Sequence, residues 1–171
     1  SNENNNIETI AEFTYADGKF TTQATIADSD DPYTFYAMYC NQDNKSWHRG
    51  AGSSDKLFST QSQDCSDPTA HIGDYDALVG SFEATVPMEG MAEVTMQHIY
   101  TLMQVNVKNA TGNEIAVTKF EMTAKEGTDL TGIFNIDFSK SAISSVKTGY
   151  GKSITVNIEN GTVAAGESLP V

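Results

Sequence analysis

The stretch LTGIFNIDF at positions 130–138 decides the fold class of this chain. Phe134, Ile136 and Phe138 fall on one face of an extended backbone, and the Asn and Asp between them fall on the other. This two-residue period is typical of an antiparallel strand with one face on a core and one in solvent. The stretch ITVNI at 154–158 repeats the pattern. Both stretches are therefore predicted to be half-buried antiparallel strands.

The rest of the chain carries the same kind of signal. Short runs of Val, Ile, Thr, Tyr and Phe are separated by Gly, Asn and Asp, and helical periodicity is almost absent. Further strands are predicted at 7–15, 19–26, 32–40, 94–108 (with a bulge near 102–103) and 115–123. Asp17-Gly18 is expected to close a hairpin between the first two of these, and residues 109–113 a hairpin between the last two. Residues 41–76 and 140–152 are expected to be irregular, the longer either functional or hiding short strands.

These patterns predict one all-β domain over residues 1–171, an antiparallel β-sandwich of roughly seven to ten strands with a long loop region. No internal repeat or linker divides the chain.

Charge excludes two classes of partner. The chain has 10 basic and 23 acidic residues, a net charge of −13, and Arg49 is its one arginine. Nucleic acids and anionic membranes both require clustered Lys and Arg, so neither is expected to bind. No apolar run approaches the roughly 18 residues of a membrane-spanning helix.

The two cysteines, Cys40 and Cys65, have no metal-binding spacing. In an exported protein they can form one disulfide, which would add about 3 kcal/mol on the chain-entropy model. The alternative, two buried thiols, stays open.

No catalytic or metal motif is present. The three histidines, His48, His71 and His98, belong to no GxSxG, HExxH or P-loop signature. His98 falls on the apolar parity of a predicted strand, so we expect a hydrogen-bonded core histidine, and we expect the other two to be solvated. Residues 28–31 (DSDD) lack the spaced ligands of an EF-hand, and an acidic turn is expected there. We predict no enzyme, no cofactor and no metal.

Aromatic side chains leave a carbohydrate-binding module as the alternative function. Tyr33, Phe35 and Tyr39 share one parity of a predicted strand, Tyr36 has the other, and Trp47 follows. Exposed in a row, such rings would stack on sugars; alternation assigns most of them to the core instead.

Several segments together resemble the fimbrillin family of the Bacteroidales, including the Mfa-like proteins. The family has a D-x-L-v segment followed by a strand of the form apolar-x-H-x-x-x-L. The corresponding stretches here are DYDALV at 74–79, VTMQHIYTLMQV at 94–105, residues 115–118, LTGIF at 130–134, residues 154–156 and AGESLPV at 165–171. The resemblance covers residues 74–171.

The resemblance implies a transthyretin-like, Greek-key β-sandwich of about seven core strands, the N-terminal domain of a longer two-domain protein. It also implies export as a lipoprotein, an anchor at the outer membrane, and display on the cell surface. Members of the family are fimbrial subunits or adhesins that assemble by strand exchange with other subunits, and the chain is also expected to meet host or bacterial surface ligands.

Proteolytic processing completes the family's scheme. A trypsin-like protease cuts after Lys or Arg, an early strand leaves, and a partner's strand fills the groove. Such a groove offers unpaired ladder edges and apolar surface, and both are satisfied by a donated strand. Lys19, just after the Asp17-Gly18 turn, and Arg49 are the candidate cleavage sites here.

Overall fold

The computed structural model describes residues 11–40, 52–88 and 90–171, and regular structure in these ranges is almost entirely β. The strands are β1 (Thr14–Ala16), β2 (Lys19–Thr21), β3 (Ser29–Cys40), β4 (Gly52–Leu57), β5 (Thr60–Asp64), β6 (Ala77–Val86), β7 (Gln97–His98), β8 (Asn106–Lys108), β9 (Ile115–Ala116), β10 (Lys119–Thr123), β11 (Thr131–Asp137), β12 (Ala142–Gly151), β13 (Ser153–Glu159), β14 (Thr162–Val163) and β15 (Ser168–Pro170). One short helix, α1 (Ile72–Tyr75), lies between β5 and β6. The prediction of an all-β chain is confirmed.

Three sheets of three strands form the body of the described fold: β3-β6-β7, β12-β11-β4 and β10-β13-β5. Three two-stranded pairs, β1-β2, β14-β9 and β15-β8, accompany them. All these pairings are antiparallel except that of β5 with β13, which is parallel. The expectation of purely antiparallel sheets is wrong at this pair, because the long chain between β5 and β13 allows a return in the same direction.

The stretch at 130–138 forms the predicted strand, β11. Phe134, Ile136 and Phe138 are 6%, 1% and 6% exposed, so the apolar parity does face the core. β13 confirms the second predicted strand, with Ile158 buried at its end. The Asp17-Gly18 hairpin is also confirmed, although its strands have three residues each.

The core lies between two of the sheets. Val79 of β6 packs with Ile136 and Phe138 from the β11 region, and Met38 and Ile99 pack against this cluster. A ring stack between β3 and the end of β11, with centroids 5.5 Å apart, adds to the contact. Sheets β3-β6-β7 and β12-β11-β4 therefore pack face to face, each with its central strand in the cluster.

The continuous strand predicted at 94–108 is wrong. Only β7 and β8 are regular there, and Leu102 and Met103 between them are each 54% exposed. The backbone changes partner along this stretch: the N–H of Ile99 donates to Ala77 of β6, whereas Val105 exchanges both backbone hydrogen bonds with Val171. The change in apolar parity near 102–103 therefore lies where the backbone leaves β6 and begins to pair with Val171, and not at a bulge in one strand.

The hairpin predicted between 94–108 and 115–123 is also wrong. β8 pairs with β15, β9 with β14, and β10 with β13. β8, β9 and β10 therefore pair with the last three strands of the chain and not with one another. Register between distant strands is set by tertiary packing, which local sequence does not encode.

Residues 140–152, predicted to be irregular, form the ten-residue strand β12 instead. Its pairing with β11 contains three register shifts, so its side chains do not alternate cleanly between the two faces. It is also an edge strand. A bulged, solvent-facing edge has no apolar period, and this is why the sequence signal failed. The other irregular stretch does hide short elements in its described part, namely β4, β5 and α1.

Core packing gives the first prediction. Ile136→Ala should lower the free energy of unfolding by about 2–5 kcal/mol, because it leaves a cavity between the two packed sheets. Ile143→Ala is the matched control: Ile143 is 39% exposed on β12, and its loss should stay within about 0.5 kcal/mol. Urea unfolding followed by circular dichroism measures both, and equal losses would contradict the assignment of the core.

Candidate functional site: a strand joint

Outside the large sheets, backbone hydrogen bonds join two distant segments, 105–117 and 161–171. We call this pair of segments the strand joint. β8 pairs with β15 and β9 with β14, both antiparallel. Reciprocal backbone bonds of 2.7 and 2.8 Å between Val105 and Val171 extend the ladder. Segment 161–171 is thus held by two short ladders, at β14 and at β15, with a turn between them that is closed by a 3.1 Å hydrogen bond from the N–H of Glu167 to the carbonyl of Ala164.

Apolar burial supports the ladder. Val163 is 2% and Leu169 9% exposed, so each fills part of the interior with a side chain from segment 161–171. Gly161 is required by a close approach, because a Cβ there would collide with the carbonyl oxygen of Val117. The Cγ2 methyl of Ile158 lies on the same side.

Asn109 is the polar centre of the joint and is 1% exposed. Its Nδ2 donates to the carbonyl oxygens of Asn113 (2.8 Å), Val163 (2.9 Å) and Ala164 (3.2 Å). Its Oδ1 accepts from the backbone N–H and the hydroxyl of Thr111, at 2.9 and 2.7 Å. A buried amide with every donor and acceptor engaged stabilises one specific arrangement.

The backbone of Asn109 belongs to the same network. Its N–H donates to the carbonyl of Glu167 at 2.9 Å, and its carbonyl accepts from the N–H of Gly166 at 3.0 Å. Gly166 has a φ of 81°, a conformation that glycine adopts without steric cost. One residue therefore ties the turn at 109–113 to segment 161–171 through both its side chain and its main chain.

A second polar feature lies near the packed sheets and involves two buried carboxylates. Asp55 is 2% exposed, and its Oδ2 accepts a 2.7 Å hydrogen bond from the Tyr100 hydroxyl. Its Oδ1 has no protein partner. Burial raises the pKa of the Asp55 carboxyl, and burial together with this carboxylate raises the pKa of the Tyr100 hydroxyl.

The second carboxylate, Asp76, is paired with a histidine. Asp76 is 8% exposed, and its Oδ2 lies 2.6 Å from Nδ1 of His98. The expectation of a buried His98 is wrong, because its side chain is 56% exposed. β7 is a two-residue edge strand, so neither face of it is covered. The two carboxylates fasten residues 98–100 to β4 and to the start of β6.

The cysteines are not joined by a disulfide in the structure. Cys40 ends β3 and Cys65 follows β5, so the two belong to different sheets. Burial raises the pKa of the Cys65 thiol, and its backbone N–H donates to Glu159 at 3.0 Å. Both thiols are half-buried.

The structure places Lys19 in β2, exposed and opposite Ala16. Because β1 pairs only with β2 in the described part, removing β1 would open no ladder in the larger sheets. The other candidate cleavage site, Arg49, lies outside the described residues, as do Trp47 and His48.

Described aromatic rings stack on one another instead of forming a row. Phe35 stacks on Phe82 with centroids 5.0 Å apart, and Tyr36 stacks on Phe138. Tyr33 meets the edge of Phe35 at 6.3 Å. Tyr36 and Tyr39 stay 39% and 48% exposed.

Residues 11–40, 52–88 and 90–171 contain neither a cluster of metal ligands nor a membrane-spanning helix. No three His, Cys, Asp or Glu side chains converge there in a way that could hold a metal ion. None of the helices in these ranges is long and apolar enough to cross a membrane. The DSDD stretch is not the separate acidic turn expected there, because its last three residues form the start of β3, where the pairing with β6 is irregular. The Ser29 hydroxyl donates to the Asp31 carbonyl at 2.9 Å.

Comparison with known proteins finds no match: no protein-family model, curated protein or solved structure is significantly similar to this chain.

The strand joint gives the second prediction. Asn109→Ala should lower the free energy of unfolding by at least about 2 kcal/mol, because each buried carbonyl or N–H left without a partner costs about 1–3 kcal/mol. Asn106→Ala, at an exposed position of β8, should stay within about 0.5 kcal/mol. Chemical denaturation measures both, and a neutral Asn109→Ala would contradict the role of the amide.

The buried carboxylate gives the third prediction. The pKa of Asp55 is raised in the fold, so above about pH 4 the unfolded chain loses this proton before the folded chain does. The contribution of Asp55 to stability is therefore present at low pH and lost as pH rises through its raised pKa. Asp55→Asn should thus gain stability relative to the wild type between acid and neutral pH, measured by urea unfolding at a series of pH values.

Asp137 supplies a control of opposite sign. Its pKa is lowered to about 2, mainly by the hydrogen bond from Lys140 and then by that from Ser139. Its contribution is therefore present at neutral pH and lost as pH falls towards that value. Asp137→Asn should lose stability relative to the wild type at neutral pH only. The same pH trend in both variants would contradict the assignment.

Proposed function

We propose that this chain is a structural or adhesive subunit of a cell-surface fibre, of the fimbrillin type, that assembles with other subunits by exchanging β-strands. The observation that carries the proposal is the strand joint. Segment 161–171 is held by antiparallel ladder bonds, by two buried apolar side chains and by one buried amide. These are the interactions that a donated strand makes.

Strand exchange between copies requires no new contact. A segment 161–171 from a second copy would offer the same carbonyls to Asn109 and the same Val163 and Leu169 to the interior. Closed and exchanged forms would differ mainly in the entropy of association, which is the usual basis of domain swapping. Groove residues 105–117 are the acceptor in this scheme.

The finer features of the proposal are a transthyretin-like, Greek-key topology, export as a lipoprotein, and display at the outer membrane. They rest on the resemblance of residues 74–171 to the family. Cleavage after Lys19 would free β1, which pairs only with β2 in the described part. We therefore favour segment 161–171 over β1 as the exchanged strand.

The fourth prediction tests exchange directly. A fluorescein-labelled peptide of residues 160–171 is incubated with the full chain at a urea concentration just below the unfolding transition, and the urea is then diluted. The peptide should become stably incorporated, detected as fluorescence comigrating with the protein on size exclusion, because it replaces segment 161–171 in the groove.

A matched peptide carrying Val163→Asp and Leu169→Asp is the control. It keeps the backbone but places carboxylates where the joint is buried, at a cost of several kcal/mol on the scale for unpaired buried charges. It should not be incorporated. If neither peptide, or both equally, comigrated with the protein, strand exchange at this joint would be ruled out.

A further inference from the structure

The turn at 159–161 connects β13 to segment 161–171 of the strand joint. β13 is held on both sides, antiparallel by β10 and parallel by β5. Segment 161–171 is held by other partners, β9 and β8. Asn160 therefore lies between a strand that would stay in place during strand exchange and a segment that would leave.

The backbone of this turn has the properties of a hinge. Asn160 has a φ of 53°, in the left-handed region that asparagine tolerates better than most residues. Gly161 follows it, and its carbonyl accepts from the N–H of Val117 at 2.8 Å. When a terminal strand is exchanged, the change in φ and ψ falls on a few residues where the strand leaves the body of the protein. Asn160 and Gly161 lie at that place here.

Residues 64–66, at the end of β5, hold the turn, and we call them the clamp. Asp64 lies opposite Glu159 at the last position of the parallel ladder. The N–H of Cys65 donates to the carbonyl of Glu159 at 3.0 Å. Oδ1 of Asp64 accepts from Nδ2 of Asn160 at 2.9 Å. The clamp thus acts on the turn and not on the segment beyond it.

Ser66 fixes the Asp64 carboxylate in position. Oδ1 of Asp64 also accepts from the backbone N–H and the hydroxyl of Ser66, at 2.8 and 2.7 Å. Because these bonds already orient the carboxylate, little side-chain freedom is lost in binding Asn160. The bond from Asn160, followed by those from Ser66, lowers the pKa of Asp64. The Asn160 amide is therefore held by a charge-assisted hydrogen bond.

We propose that Asn160 and Gly161 are the hinge of segment 161–171, and that Asp64 is the positioning residue whose hydrogen bond to Asn160 sets how often this segment opens. The part of the hinge in exchange between copies rests on the proposed function, whereas opening within one chain does not. A carboxylate in place of the Asn160 amide would replace the attraction by repulsion at the same short distance.

Asn160→Asp provides the fifth prediction. Aspartate has nearly the same size and tolerates the same backbone conformation, but it cannot donate to Asp64 and adds a like charge beside it. Wild-type amides that cross the joint should exchange hydrogen faster than those of β11, because the segment opens locally. The variant should speed their exchange by about five- to tenfold, less so at high salt, which screens the repulsion. The amides to follow by NMR are those of Val105, Asn109, Val117, Gly166 and Val171.

Two further variants separate the clamp from a general loss of stability. Asn157→Asp makes the same change at an exposed position of β13, and exchange at the joint should stay within about twofold of the wild type. The double variant Asp64→Asn, Asn160→Asp again combines one amide with one carboxylate, so it should return the exchange rates towards those of the wild type. Joint amides at wild-type rates in Asn160→Asp, or a double variant that restores nothing, would overturn the hinge.

Incorporation of the labelled peptide of residues 160–171 tests the link to strand exchange. It should be faster into Asn160→Asp than into the wild type, because the resident segment leaves more often. If the joint amides respond as expected but neither protein takes up the peptide, the hinge stands and strand exchange fails. If both proteins take up the peptide equally fast and the joint amides do not respond, strand exchange stands and the hinge fails.

Discussion

The contact of Val79 with Ile136 and Phe138 is the interaction on which the rest of this structure depends. It joins the central strands of two sheets, and each central strand carries its neighbours by ladder hydrogen bonds. Several large apolar side chains outside this core are exposed, including Tyr15 and Phe20 of the first hairpin at 64% and 63%. Stability is therefore concentrated in a small core, and the strands at its periphery are held chiefly by backbone pairing.

Buried polar groups supply the specificity that a small core lacks. Asp55 and Asp76 fix residues 98–100 by side-chain hydrogen bonds, and Asn109 fixes segment 161–171. An unpaired carboxylate oxygen such as Oδ1 of Asp55 costs free energy in the folded state. The hydrogen bonds from these buried groups nevertheless hold residues 98–100 and segment 161–171 in one position, although neither stretch has a regular alternation of apolar residues. Polar interactions of this kind select between arrangements of similar apolar burial.

The sequence predicted the parts of the fold that local chemistry controls. Alternation at 134–138 and the Asp17-Gly18 turn were sufficient for β11 and for the first hairpin. It did not predict β12, whose bulges erase alternation, or the pairing of β8 with β15, which depends on partners about sixty residues apart. His98 was placed on an apolar parity, yet an edge strand of two residues has no covered face. The role of Asn109 was missed as well. The sequence predicts the turn at 109–113, but two of the carbonyls that accept from the Asn109 side chain, those of Val163 and Ala164, lie more than fifty residues further along the chain.

The parallel pairing of β5 with β13 has a consequence for the order in which the chain acquires its structure. Thr60 lies opposite Thr155, so nearly the whole intervening sequence must be present before this ladder can begin. During synthesis β5 emerges long before its partner, and closing so large a loop is slow. β10 pairs with the other side of β13. Both ladders of β13 therefore join it to strands that precede it by at least thirty residues, and the ladder with β5 has by far the larger sequence separation.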